Sequence, residues 1–253
     1  LESLLASGKP LLHCFHNPID QRQIDFAEQR IQRNTALHFV SENQRSNARI
    51  CCPSCVIPNP VDTQLYGDSD GTGGYLVFLG RLTFDKGVDV AIDVALQANQ
   101  KLVIAGTVSK EQGSEEFFQS RIQPHIDGDQ IRWVGPLDDP QKNELLSGAT
   151  ALLFPIRWDE PFGIVMVEAL ASGTPVIATR RASTREVIDH GVTGWLCEPE
   201  DPSVDAFVEA VNRLHELDRQ DCRRVAEEKF DVRVIAPRVL DVLSKLAHHE
   251  PIA

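Results

Sequence analysis

Residues 151–178 read ALLFPIRWDEPFGIVMVEALASGTPVIA. The run 151–154 is short and wholly apolar, as a strand buried on both faces must be. Glu160-Pro161-Phe162-Gly163 has the composition of a tight turn. Residues 163–171 read as a helix whose apolar positions, 164–167 and 169–171, pack against a sheet. Residues 175–178 are the next strand. A strand, a covering helix and a second strand in that order make a parallel pair, so the fold class is α/β. Two carboxylates flank the apolar run, Glu160 on the turn and Glu168 on the helix. Carboxylates are rarely buried without partners, so both positions ask for a ligand or a counter-charge.

The same alternation continues on both sides. Upstream, strands at 75–80, 102–105 and 130–134 each precede a helix, at 87–98, 114–123 and 140–147. Downstream come a helix at 183–189, a strand at 194–196, and helices at 202–215, 219–229 and 232–248. Residues 75–230 therefore read as one near-complete, Rossmann-like, doubly wound parallel-sheet domain. Residues 1–58 repeat the grammar with three short strands, at 10–15, 36–40 and 55–57. A helix at 20–33 carries the stripe Ile24, Phe26, Ala27 and Ile31. Three strands are too few for an independent sheet of this kind, so 1–58 is expected to be the C-terminal part of a second domain. Residues 59–74, NPVDTQLYGDSDGTGG, read as a linker. Residues 231–253 read as a C-terminal helix and tail that packs back on the N-terminal part.

The chain is 42% hydrophobic and 25% charged, the composition of a soluble globular protein. A net charge of −12 argues against general nucleic-acid binding, which needs a basic face, and leaves room for a local phosphate pocket. The apolar runs are too short to span a membrane. LESLLASGKP has no basic segment followed by an apolar one, so no secretory leader is read and a cytoplasmic location is expected. Cys52-Pro53-Ser54-Cys55 has CxxC spacing, but Cys197 and Cys222 do not form the second pair of a four-thiolate zinc site. The expectation is reduced structural thiols and no metal.

In open α/β sheets, ligands sit at the carboxyl ends of the strands. The end of the strand at 75–80 gives GRLTFDKG: Gly80, Arg81 and, five residues on, Lys86. Two cations at a strand-to-helix turn suit a phosphate, because Arg grips oxygens with a fork, Lys adds a point charge, and the helix start adds free N–H groups. The competing reading is a pair of exposed surface cations. The end of the strand at 151–154 gives the turn at 160–163. Gly163 lets a ligand approach the backbone closely. The N–H groups of Phe162, Gly163 and Ile164 are the unsatisfied donors of a helix start. Glu160 can face the cleft from its loop. Glu168 lies two turns in, where a carboxylate can accept both hydroxyls of a vicinal diol or sit in a rim or buried salt bridge.

YLVFLGRLTFDKGVDVAI (75–92), LVIAG (102–106), IRWVGPL (131–137), LLFPIRWDEPFGIVMVEALASGTPVIATR (152–180) and EVIDHGVTGWL (186–196) resemble, in order, the donor domain of retaining GT-B glycosyltransferases of family 4, group 1. HFVSENQRS (38–46) and VIPNPVD (56–62) resemble that family's inter-domain segments. The resemblance implies that Arg81 and Lys86 bind the donor's diphosphate and stabilise the leaving group. It implies that Glu160, with the backbone of Phe162, Gly163 and Ile164, contacts the transferred sugar, and that Glu168 holds the ribose. The base would lie near Gly106 and the 133–137 segment, with Val134 and Leu137, held largely by backbone, and Gly80 is a further donor-binding candidate. His16, in FHNP, resembles the acceptor-side histidine; His13 competes for that role, and a purely structural His16 is equally open.

The implied reaction moves a sugar from a nucleoside diphosphate-sugar, UDP- or GDP-linked, to an unidentified acceptor with retained configuration. It uses no cofactor and no metal. Asp68-Ser69-Asp70 resembles the metal motif of a different glycosyltransferase architecture, and in its Gly-flanked stretch it reads as solvated. Two departures stand out. Ala182, in TRRASTRE, stands where the family usually has Gly, and a small local effect is expected. The chain also starts partway through the acceptor domain, without its Gly-rich loop. The alternative reading is therefore a nucleotide-binding module or inactive remnant without transfer. A hydrolysing sugar-nucleotide epimerase of the same architecture is disfavoured by the paired glutamates joined to Arg81 and Lys86.

Overall fold

The structure is a computed structural model that describes residues 9–31, 34–67, 71–198 and 202–252. Asp68, Ser69 and Asp70 lie outside the described residues. The first sheet holds β1 (Leu11–Phe15), β2 (Thr35–Phe39) and β3 (Ser54–Val56), parallel and in that order. Helices α1 (Gln21–Glu28) and α2 (Glu42–Ser46) lie between these strands. The second sheet is built from β4 (Tyr75–Leu79), α3 (Val88–Gln97), β5 (Lys101–Ala105), α4 (Ser114–Phe117), β6 (Ile131–Gly135), α5 (Asp139–Gly148) and β7 (Ala151–Phe154). It continues through α6 (Ile164–Ala171), β8 (Val176–Thr179), α7 (Thr184–Val187) and β9 (Gly194–Cys197). Helices α8 (Val204–Asn212), α9 (Arg219–Lys229) and α10 (Val232–His248) follow. The six strands are all parallel in the order β6-β5-β4-β7-β8-β9, the doubly wound arrangement.

Both faces of the second sheet are covered, with the two-residue alternation of a strand deciding which side chain goes where. Val77, Leu152 and Val176 pack under Met166, Val167 and Leu170 of α6 and Cys222 and Ala226 of α9. Leu76, Leu153 and Ile177 pack on the other side with Val88, Ile92 and Ala95 of α3 and Phe207 of α8. The first sheet is covered differently. Ala36, Cys55 and Ile57 pack beneath Ile235, Val242 and Leu246 of α10. Leu37 and Phe39 face Ile24 and Ala27 of α1.

Two expected helices differ. The helix expected over 20–33 stops at Glu28. Asp20 caps its start with a reciprocal bond to Gln23, as a capping box does. Phe26 is not on its buried stripe: it is 55% exposed, because two steps of 100° carry it to the face opposite Ile24. The guanidinium of Arg30 stacks on it instead, 3.5 Å from the ring centroid. The helix expected over 114–123 is broken: α4 ends at Phe117, a π turn spans Phe118–Ile122, and a 3₁₀ turn spans Gln123–His125. Pro124 lacks the N–H that a continuing helix needs.

The chain crosses between the sheets twice, and the crossings lie side by side. Val61 N–H donates to Phe230 O and Val232 N–H to Val61 O, each at 2.9 Å. Beside them Asp231, 1% exposed, accepts from the hydroxyl of Thr63 and from Arg233 Nε at 2.6 Å. The Arg233 guanidinium holds this carboxyl well below the usual carboxylate range, and the Thr63 hydroxyl helps. Residues 61–66, within the segment read as a linker, are thus bonded in place.

Cys55 is buried beneath α10. Cys52 packs with the α1 cluster, its thiol pushed up to about 12 by burial and by the charge of Glu28. A thiol so raised is not a thiolate nucleophile at neutral pH. Among the described residues no helix is long and apolar enough to cross a membrane.

Candidate active site

Between β4 and β7 the strand order reverses, the point at whose carboxyl ends open α/β sheets form their ligand crevice. The loops leaving those two strands are 80–87 and 155–163. Sheet order alone therefore selects the two segments that the sequence picked for their charges.

The strand ends approach closely enough to require glycine. Gly106 N–H donates to Gly135 O at 2.8 Å, and Gly80 N–H to Ala105 O at 3.0 Å. A Cβ on Gly106, whose φ is +140°, would stand 1.8 Å from Gly80 O. A Cβ on Gly87, φ +75°, would stand 1.9 Å from Pro155 O. The two crevice loops touch at that point. Arg157 fastens them further. Its backbone N–H donates to Asp85 O at 2.8 Å and its Nη1 to Phe84 O at 2.8 Å. The same guanidinium grips buried Asp89 with two bonds, of 2.8 and 2.9 Å.

With the loops fixed, Lys86 meets Glu160. Lys86 Nζ pairs with Glu160 Oε2, and the two side chains are only 15% and 12% exposed. Trp158 Nε1 donates to the same oxygen at 3.0 Å, and the Lys86 ammonium lies 4.4 Å from the indole centroid. A buried pair of this kind holds its geometry because losing one partner would strand the other charge. Arg81 is not part of this cluster. It is exposed and pairs with Glu111, on the loop after β5. Water screens such a pair, so its hold on Arg81 is weak.

Gly163, φ +76°, caps the start of α6, and a Cβ there would meet Met166 Cε at 2.7 Å. Among the described residues the N–H groups of Phe162, Gly163 and Ile164 donate to no protein acceptor. The turn is clamped from both sheets: Ser183 Oγ donates to Phe162 O at 3.1 Å, and Ser41 Oγ, at the end of β2, to Pro161 O at 2.6 Å. The carboxylate of Glu186 on α7 accepts from the N–H groups of Glu42 and Asn43 at 2.8 Å each, which ties α2 to the second sheet.

Glu168 is 8% exposed. Its Oε1 accepts from Lys142 Nζ at 2.7 Å and from the Tyr66 hydroxyl at 3.3 Å. Along the neighbouring edge, Trp133 and Val134 are exposed, Leu137 is half-buried, and Trp133 Nε1 donates to Gly106 O at 3.0 Å. His16 is exposed at the end of β1, in a groove of about 480 Å³ with His38, Asn59, Pro60, Val239 and Leu240. No contact joins it to Lys86, Glu160 or Glu168 among the described residues.

Ala182 has φ +49°, in the left-handed region. A side chain there costs about 1 kcal/mol, so the departure from Gly carries local strain. Its neighbour Arg181 pairs with Asp159 at 2.9 Å, next to Glu160.

Sequence reasoning passes over Trp158, Tyr66 and Lys142. Trp158 leaves a signal: an indole N–H at the edge of a buried segment needs an acceptor, and Glu160 is two residues on. Tyr66 lies in a stretch of turn-forming composition, and Lys142 sits on a polar helix.

Residues 67–230 match the family model for glycosyl transferases group 1. An uncharacterized glycosyltransferase of Methanocaldococcus jannaschii is 31% identical over 143 residues, 55% of this chain and 35% of that protein. The phosphatidyl-myo-inositol mannosyltransferase of Mycobacterium tuberculosis is 28% identical over 210 residues, 76% of this chain and 54% of that protein. The chain thus spans about a third to a half of these relatives. Among solved structures, Anabaena HepE, in complex with UDP and glucose, superposes with a TM-score of 0.79 at 21% identity, over 96% of this chain and 76% of that one. That likeness shows the GT-B fold.

Proposed function

The chain belongs to the glycosyl transferases group 1 family, and from that premise we propose that it forms the donor-binding part of a retaining, family 4 glycosyltransferase. It would move a sugar from a nucleoside diphosphate-sugar, UDP- or GDP-linked, to an acceptor held by the first sheet and whatever packs beside it. The observation that carries this reading is the meeting of Lys86 and Glu160 at the point where strand order reverses. The UDP bound to HepE supports a nucleotide-sugar donor. The six cysteines, none in a disulfide, fit the cytoplasmic location we propose.

In this mechanism the donor's diphosphate meets Lys86 and Arg81. Negative charge grows on it as the bond to the sugar breaks, and cations fixed beforehand stabilise that charge. Arg81 reaches the phosphate by leaving Glu111. The N–H groups of Phe162, Gly163 and Ile164, at the positive end of α6, face the phosphate or a sugar hydroxyl. Glu160, already held by Lys86 and Trp158, orients the sugar, and Glu168 takes the ribose. Each carboxylate has its own cation, so the pair is not arranged as the acid and nucleophile of a glycosidase. A phosphate oxygen of the donor then accepts the acceptor's proton. Charge neutralisation by Lys86 and Arg81 makes a metal unnecessary in this scheme.

Calorimetric titration with UDP, GDP and ADP tests the site. Arg81→Ala, Lys86→Ala and Glu168→Ala should each cost roughly 1.5–3 kcal/mol of binding, the worth of a charged hydrogen bond. Unchanged affinity in all three would sink the assignment. Binding without any transfer or donor hydrolysis would favour the module reading over the enzyme.

A further inference from the structure

We propose that Tyr66 and Lys142 are positioning residues for the nucleotide's ribose: by filling one oxygen of Glu168 they present its other oxygen to the 2′- and 3′-hydroxyls. The inference rests on the ribose role proposed above for Glu168.

Both donors reach the same atom. Lys142 Nζ and the Tyr66 hydroxyl bond to Oε1, and among the described residues Oε2 accepts nothing. A carboxylate oxygen has about two acceptor sites, so Oε1 is full and Oε2 keeps both of its own. The last torsion of a glutamate is soft, and two donors on one oxygen set the plane of the group.

The donors are themselves fixed. Lys142 also pairs with Asp139 at 2.9 Å, one turn earlier on α5. Tyr66 is pinned by its backbone: Arg223 of α9 donates to Tyr66 O at 2.8 Å. Asn143 of α5 donates to Leu65 O at 3.1 Å and accepts from Gly67 N–H at 3.2 Å. Three elements therefore meet at one carboxylate, α5, α6 and the 63–67 segment, and α9 holds the last of these in place.

The charge balance points to a neutral ligand. Lys142 is shared with Asp139, but that carboxylate is 80% exposed and screened by water, so the ammonium mainly offsets the buried Glu168 charge and the free oxygen calls for a hydroxyl donor rather than a cation. Burial pushes the Tyr66 hydroxyl well above the ordinary tyrosine range, and the Glu168 charge adds to this, so it stays a donor. For Lys142, burial works against the ammonium, and the hydrogen bonds to Glu168 and Asp139 outweigh it.

The test is calorimetric titration of the whole chain with UDP, GDP and ADP and with their 2′,3′-dideoxy counterparts. Lys142→Met should weaken the ribonucleotide roughly tenfold and Tyr66→Phe about threefold, with the dideoxy forms changed less than about twofold. Lys142→Arg should recover most of the loss. Equal losses for ribo and dideoxy forms, or no loss in either variant, would overturn the proposal. Should Lys142→Met not fold, Tyr66→Phe decides it alone. Glu168→Gln separates the two claims. If it removes the ribose preference and the other variants do not, only the positioning role falls. If it leaves the preference intact, or if the unmutated chain binds none of the nucleotides, the ribose reading falls with it.

Discussion

Val77 and Leu152, in the middle of the six-stranded sheet, are fully buried, and the helices that cover them are interleaved with or follow closely on the strands. Leu12 and His13, on β1 of the three-stranded sheet, are only half-buried. The helix over that sheet comes from far downstream: Arg238 on α10 donates to Val56 O across 182 residues of sequence. One sheet is completed by its neighbours in sequence, the other by a distant return of the chain. Candidate site residues follow the same division. Lys86, Glu160 and Glu168 stand on the locally completed sheet, while His16 stands on the one that waits for its cover.

The sharpest way to break this comparison is Gly87→Ala. The new Cβ would collide with Pro155 O at a positive φ, forcing apart the two loops that hold Lys86 and Glu160. A loss of about 3 kcal/mol or more is expected, read by denaturant melts, with the proposed nucleotide binding lost in parallel. Hydrogen exchange should quicken in β4 and β7 while β2 and β3 keep their protection. Leu246→Ala tests the other side. Leu246 is 3% exposed beneath the first sheet, and its truncation should cost roughly 2–4 kcal/mol. Protection should fall in β2 and β3 and persist in β4 and β7. Equal loss in both sheets would mean that the molecule opens as one unit.

Asp231→Asn loosens the double crossing and should lower Tm by roughly 4 °C at pH 7, as loss of 1–2 kcal/mol does in a chain of this size. The pH dependence has a definite sign. The folded carboxyl lies below its unfolded value, so its contribution is whole at neutral pH and is lost as acidity carries the group below about pH 4. Wild type and variant should therefore converge in acid; a constant gap across pH would deny Asp231 this role. The smallest effect is a gain: Ala182→Gly should add about 1 kcal/mol by relieving the left-handed alanine, with no change in either sheet's exchange pattern.

The doubly wound region was legible because most of its strands are short apolar runs and some of its helices carry their own cap. Asp138, for instance, caps α5 through a reciprocal bond with Gln141. Lys86 and Glu160 could be named as candidates because both leave strand ends. Their pairing could not, since 74 residues separate them and only the sheet order makes their strands adjacent. Tyr66 was hidden for a sharper reason: turn-forming composition describes the backbone of 59–74 and says nothing about a hydroxyl that reaches 102 residues along the chain. The strain at Ala182 is a torsion, and no residue type discloses a torsion unless it is glycine or proline.

The distant cover of the first sheet has a consequence for biosynthesis. At ribosomal speed, the 182 residues between Val56 and Arg238 take roughly 10–35 s to make. Through that interval the apolar side of β2 and β3, with Ala36, Cys55 and Ile57, has no helix to meet, while the six-stranded sheet is folding behind it. The nascent chain therefore carries an open apolar face while these 182 residues are made, and that face is where a chaperone would first find work.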